Sequence, residues 1–156
     1  GQENGRRSGT ENVAWAVALA TAVEVLTKQK AEVARIEAAR DRFIGQVQDL
    51  VPTAILTGHP SNRLPSIASF CVSGLSGEAL LLELERREVI VSSGSACAAG
   101  SDEPSHVLTA MGFDAELAQT AIRFSFSHHT TEAELETAAR ALADAVAAVG
   151  GTDKIA

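Results

Sequence analysis

The sequence predicts an α+β fold: a short, mainly antiparallel sheet of about four strands, helices packed on it, and one long helix leading in. Three observations predict this. A helical pattern runs from about Glu11 to Leu50 and stops at Pro52; Ala121–Ser127 alternates apolar and polar residues; and short apolar runs elsewhere are bounded by glycine and proline. The 156 residues suit one domain, able to bury roughly two-thirds of its unfolded surface. Apolar content of 46%, charged content of 21% and a net charge of -7 describe an ordinary acidic globular chain. That charge argues against nucleic acid or an anionic membrane as partner. No apolar run is long enough to span a bilayer, and the start is unlike a signal peptide.

In chain order, residues 1–10 form a glycine- and arginine-containing loop. Ser8 with Glu11 fits a capping box, Thr10 being the competing cap. Backbone donors, two hydroxyls and two guanidinium groups there suit an anion, but a capped helix with exposed arginines is the simpler explanation. Over 11–50, the stretch Val13–Leu26 is apolar almost all round and is expected to be buried on most sides. From Lys28 the pattern turns amphipathic, with Val33, Ile36, Phe43, Val47 and Leu50 on one stripe. Strands are expected at Thr53–Thr57, Ser66–Val72 and Val89–Val91, with a helix at Gly77–Arg87 capped by Ser76. Pro104 suits the first position of a helix that Gly112 stops, and Ala115–Gln119 a helical turn. In Ala121–Ser127, Ile122, Phe124 and Phe126 face the core, leaving Arg123 on the polar face. Thr131 and Glu134 form a capping box for a last helix closed by Gly150-Gly151.

Two cysteines differ in setting. Cys71 lies in the apolar run Ile67–Val72 and reads as an inert core thiol. Cys97 lies in Ser92–Gly100, a run with no side chain large enough to join a core. Such a loop is expected to move and to carry its sulfur into another pocket, unless the thiol is incidental. No disulfide is expected, which suits a reducing cytoplasm. Only a thiolate attacks, and an ordinary pKa of about 8.5 leaves a few per cent ionised at neutral pH. The helix opening at Pro104 would contribute about 0.3–1 kcal/mol, less than one pKa unit, and Asp102 and Glu103 oppose it. Activation of Cys97 therefore has to come from whatever it approaches.

Arg123 carries a planar fork suited to a carboxylate, or to a salt bridge with one of the many acids. His128-His129, His106 and His59 follow no zinc spacing, and adjacent residues on a strand would point to opposite faces, so no metal is expected. No triad, phosphate loop or dinucleotide-binding glycine pattern occurs.

Five stretches occur in order: Gln2–Asn12 (QENGRRSGTEN), Ser92–Cys97 (SSGSAC), Pro104–Leu108 with Met111-Gly112, Ile122–Ser125 (IRFS) and Thr130–Glu132. Together they resemble the C-terminal part of the pyridoxal-phosphate-dependent cysteine desulfurases of the class V aminotransferase family, the iron–sulfur-cluster and nitrogen-fixation type. The resemblance implies the small domain of an aspartate-aminotransferase-type (fold type I) enzyme, in a homodimer. Residues 1–10 would then end the large domain, 11–50 form the connecting helix, and 51–156 the small α+β domain with the cysteine loop at 92–103. It implies conversion of L-cysteine to L-alanine, with sulfur left as a persulfide on Cys97 for a sulfur-acceptor or iron–sulfur scaffold protein. Arg123 would hold the substrate carboxylate, and Thr10 the phosphate of the neighbouring subunit's pyridoxal phosphate.

The sequence departs from that pattern in two places. The lysine that holds the cofactor belongs to the large domain, and Lys28, Lys30 and Lys154 do not follow its motif. The chain opens at Gly1, inside a loop, as expected of a piece of a longer protein, and alone it is expected to be inactive. His128-His129 stands where the family has glycine and a bulkier residue. A different class of reading is a non-catalytic sulfur carrier or dimerisation module. A peroxide sensor is disfavoured because no resolving cysteine is evident.

Overall fold

The computed structural model describes residues 2–93 and 103–152. The chain divides into two compact units, Gly1–Val33 and Ala34–Ala156, each described by itself.

The first unit holds a 3₁₀ turn, Glu3–Gly5, and helix α1, Val13–Lys28. The turn region bends through positive φ at Asn4, Gly5 and Gly9. The cap of α1 is neither Ser8 nor Thr10. Asn12 takes that place, its side chain accepting from Trp15 N at 3.0 Å. The helix starts at Val13, so Ser8 lies too far upstream to reach its free N–H groups. Val13–Leu26, whose pattern asks for burial and which alone is expected to be an exposed patch, is not buried in this chain: α1 has no buried residue, and Trp15 is 75% exposed. Nor is 11–50 one helix. Gln29 leaves helical geometry (φ -98°, ψ 31°) where the all-round apolar pattern gives way to the amphipathic one, and helix α2 is Lys30–Leu50.

The second unit is a four-stranded antiparallel sheet with helices on both faces, as the α+β reading required. The strands are β1 (Ala54–Leu56), β2 (Ile67–Val72), β3 (Ser92–Ser93) and β4 (Ala121–Ser125), in the order β1-β2-β4-β3. The helices are α3 (Gly77–Glu85), α4 (His106–Ala110), α5 (Ala115–Gln119) and α6 (Glu132–Thr152). One sheet face (Ala68, Phe70, Val72, Ile122, Phe124) packs on Phe43 and Val47 of α2, Leu80 and Leu84 of α3, and Leu135, Ala139 and Leu142 of α6. Phe43 sits edge-on to Phe124 and Phe126, with ring centroids 4.9 and 5.3 Å apart. The opposite face is not simply polar. Cys71 and Ala121 there are buried with Leu108 of α4 and Ala118 of α5, which close one end of it.

Local chemistry explains most boundaries. Ser76 caps α3 by accepting from Ala79 N. Gly112, at φ 94°, turns the chain out of α4 as expected. The Thr131–Glu134 box is formed: the Glu134 carboxylate accepts from Thr131 N at 2.7 Å, and Thr131 Oγ1 accepts from Glu134 N. Three boundaries differ from expectation. The third strand is Ser92–Ser93, not Val89–Val91, because Glu88 adopts φ 62° and Val89 N donates to Leu84 O, finishing α3 instead of starting a ladder. Pro104 precedes the cap of α4, Ser105, rather than opening the helix. Gly150-Gly151 lies inside the last turn of α6.

Candidate functional site

Arg123 is the centre of β4. Ile122 and Phe124 point into the core, which turns Arg123 to the opposite face. Register places it directly between Ser69 of β2 and Ser92 of β3. Thr57, one residue past β1, completes the row: its N–H and Oγ1 both donate to Ser69 O, at 2.9 and 3.1 Å. A polar line thus crosses the whole sheet, next to the apolar pair Cys71–Ala121. Arg123 Nε is buried, and among the described residues it has no hydrogen-bond partner and no carboxylate pairs with the guanidinium. A buried donor without an acceptor is unusual and costly. A planar anion laid against the fork would supply the missing acceptor.

Cys71 ends the same face and is fully buried. Burial pushes its thiol above the ordinary value, against a hydrogen bond with Thr120 that pulls the other way. At neutral pH it is a protonated core residue, as the sequence suggested. Cys97 lies outside the described residues.

Thr10 belongs to the first unit and is exposed, directly after Gly9 at φ 96°. Its hydroxyl has no partner among the described residues. Arg7 donates to Gly9 O at 3.1 Å and lies 3.7 Å from the carboxylates of both Glu3 and Glu11, so its charge is answered within the loop. Among the described residues, the side-chain donors without a partner there are the Ser8 and Thr10 hydroxyls and Arg6. Of the predicted trio, Thr10 belongs to the first unit, Arg123 to the second, and Cys97 lies outside the described residues.

His128 and His129 lie beyond β4, in a turn, so their rings do not take opposite faces; they approach to 3.8 Å. Arg35 holds that turn by donating to His128 O at 2.8 Å and Thr130 O at 3.3 Å. His59 Nδ1 accepts from Asn62 N and Ser61 N, a turn function. Among the described residues no three of His, Cys, Asp and Glu converge on a metal-sized position, and no helix is long and apolar enough to cross a membrane. Lys28 and Lys30 are exposed at the ends of α1 and α2. Neither is enclosed as a lysine holding an aldehyde cofactor must be. Beyond the Ser8 and Thr10 hydroxyls and Arg6 for a phosphate, the described residues do not fit pyridoxal phosphate as a resident group.

Ser69 is the partner that sequence reading missed. Its only signal was a single hydroxyl inside the apolar run Ile67–Val72, and register alone shows what it faces.

The second unit is a small α+β domain, a short antiparallel sheet whose central arginine, on the face opposite the core, has no carboxylate partner among the described residues. The chain belongs to the class-V aminotransferase family, whose pattern it matches over residues 1–137. It is 42% identical over 147 residues to the cysteine desulfurase NifS of Azotobacter vinelandii, covering 94% of this chain and 37% of that protein. To the cysteine desulfurase IscS of Dictyoglomus turgidum it is 42% identical over 135 residues, covering 86% and 34%. The fold is similar to the X-ray structure of a NifS-like protein from Rickettsia africae, with a TM-score of 0.80 at 27% identity over 94% of this chain and 38% of that one. The chain therefore spans little more than a third of these relatives' length.

Proposed function

We propose that this chain is the substrate-carboxylate-binding and sulfur-accepting part of a cysteine desulfurase. The observation that carries this reading is the buried, partnerless Nε of Arg123 on the open side of the sheet, in a chain whose relatives are named for that activity. Residues 1–10 end the large domain, 11–50 connect, and 51–156 form the small domain of the whole protein, which works as a cytoplasmic homodimer. Thr10 donates to the cofactor phosphate of the neighbouring subunit.

Arg123 clamps the carboxylate of L-cysteine with parallel N–H···O bonds, so the substrate sulfur is held in one place. The Cys97 thiolate attacks that sulfur. The new bond is S–S, the bond broken is Cβ–S, and the Cβ electron pair, once protonated, gives L-alanine. Pyridoxal phosphate, held by the large domain, supplies the electron sink that makes this cleavage possible. The persulfide on Cys97 then passes to an acceptor protein.

In the full-length protein, Cys97→Ser is expected to reduce alanine formation from L-cysteine to background, and an unchanged rate would overturn the assignment. The 156-residue chain alone, mixed with pyridoxal phosphate, is expected to give no new long-wavelength absorption. A band that borohydride traps on Lys28 or Lys30 would contradict this.

A further inference from the structure

We propose that Ser69 and Ser92 are binding residues of the same carboxylate site, setting its preference for an acid over a neutral head group. The proposal rests on the reading of Arg123 as carboxylate anchor and extends it to both neighbouring strands. Residues directly opposite each other in antiparallel strands have Cβ atoms about 4.5–5.5 Å apart. Ser69 and Ser92 therefore stand on either side of the Arg123 stem, on the face turned from the core. Both are half-buried, and neither hydroxyl has a hydrogen-bond partner among the described residues.

The remaining members of the row have other tasks. The Thr57 hydroxyl is taken by Ser69 O, which fixes the backbone of β2 at that position. The next pair, Cys71 and Ala121, is sealed under Leu108 and Ala118. The strand residues on this face include no acid: besides the row they are Ile55, Ile67, Cys71, Ala121 and Ser125. What is left is a guanidinium with a buried donor, flanked by two rotatable hydroxyls that can donate. A set of donors with no acid among the strand residues of its own face favours an anion. A carboxylate offers two acceptor oxygens, one for the fork and one for a hydroxyl beside it. A neutral amide would turn one N–H group toward these donors and lose that match.

The test uses the full-length holoenzyme and two competitors of L-cysteine turnover, L-alanine and L-alaninamide. The readout is the ratio of their inhibition constants, which does not depend on how much of a variant is folded. The native protein is expected to favour the acid. In Ser69→Ala and in Ser92→Ala that preference is expected to fall about ten- to a hundredfold, the worth of one hydrogen bond to a charged partner. Ser69→Thr, which keeps the hydroxyl, is expected to retain it. An unchanged ratio in both alanine variants overturns the proposal, as does a threonine variant that behaves like alanine. Arg123→Lys separates the two levels of inference. If it leaves the ratio intact, the anchor reading itself fails; if it lowers the ratio while both alanine variants do not, only the serine proposal fails.

Discussion

An arginine set on a strand between two phenylalanines has a calculable exposure to error: lysine keeps the charge and loses the fork. In the full-length protein Arg123→Lys is expected to raise KM for L-cysteine by about tenfold or more, about 1.4 kcal/mol. A KM within twofold of the native value would show that Arg123 meets no carboxylate. Cys71 offers a second residue-scale test, through pH. Burial raises its folded pKa above the ordinary thiol value, so on raising pH the unfolded chain releases the thiol proton first. The stability that Cys71 contributes is therefore complete below the unfolded pKa and is lost from about pH 8.5 upward. Urea midpoints measured at neutral and alkaline pH should fall more steeply for the native chain than for Cys71→Ala; equal slopes would show the thiol is not buried. Both residues were legible in the sequence because period-two alternation assigns a face without any knowledge of the neighbours. Ser69 was not, since a face says nothing about which strand lies alongside.

Among the elements, caps and close approaches decide where helices begin. Gly77 opens α3 against the end of α5, and a Cβ there would stand 2.4 Å from Gln119 O, a backbone atom with little room to move. Gly77→Ala is expected to destabilise the chain by about 1–3 kcal/mol through overpacking, read as a lower denaturation midpoint; a neutral effect would mean the α3–α5 approach is looser than described. At the start of α6, Thr131→Ala removes the cap and is expected to cost about 0.5–2 kcal/mol by the same measurement. The Thr131 box was readable from its S/T-x-x-E pattern, which Ser8 and Glu11 also carry without capping α1. The Asn12 cap and the Ser92–Ser93 strand were not. In the first case two nearby hydroxyls offered equally good signals; in the second the positive φ of Glu88 decides that Val89 closes a helix. Apolar runs specify burial, and Val89 and Val91 do pack on the core, but burial alone does not make a ladder.

At the scale of the whole chain, burial belongs to the partner as much as to the pattern. The composition of Val13–Leu26 reads as a buried helix, yet Val13, Trp15, Val17, Leu19, Val23, Val25 and Leu26 are all exposed. The second unit, by contrast, has a continuous core from Ala39 to Val149 that draws on no residue of α1. An apolar face of this size attracts other surfaces, and a chain spanning 37% of NifS leaves most of the length of such a protein to provide one. These facts make a joint prediction for the 156-residue chain and for a shortened form beginning at Gln29. Because α1 buries nothing, its removal is expected to shift the melting midpoint of the remainder by no more than about 2 °C, well under the change that one kcal/mol produces in a domain of this size. Removing α1 is also expected to abolish most binding of a hydrophobic dye and to reduce self-association at high concentration. The two readouts fail in different ways. A large fall in melting temperature would mean that α1 stabilises the sheet domain directly. An unchanged dye signal would place the sticky surface elsewhere, with exposed Ile90, Val107 and Met111 as the next candidates.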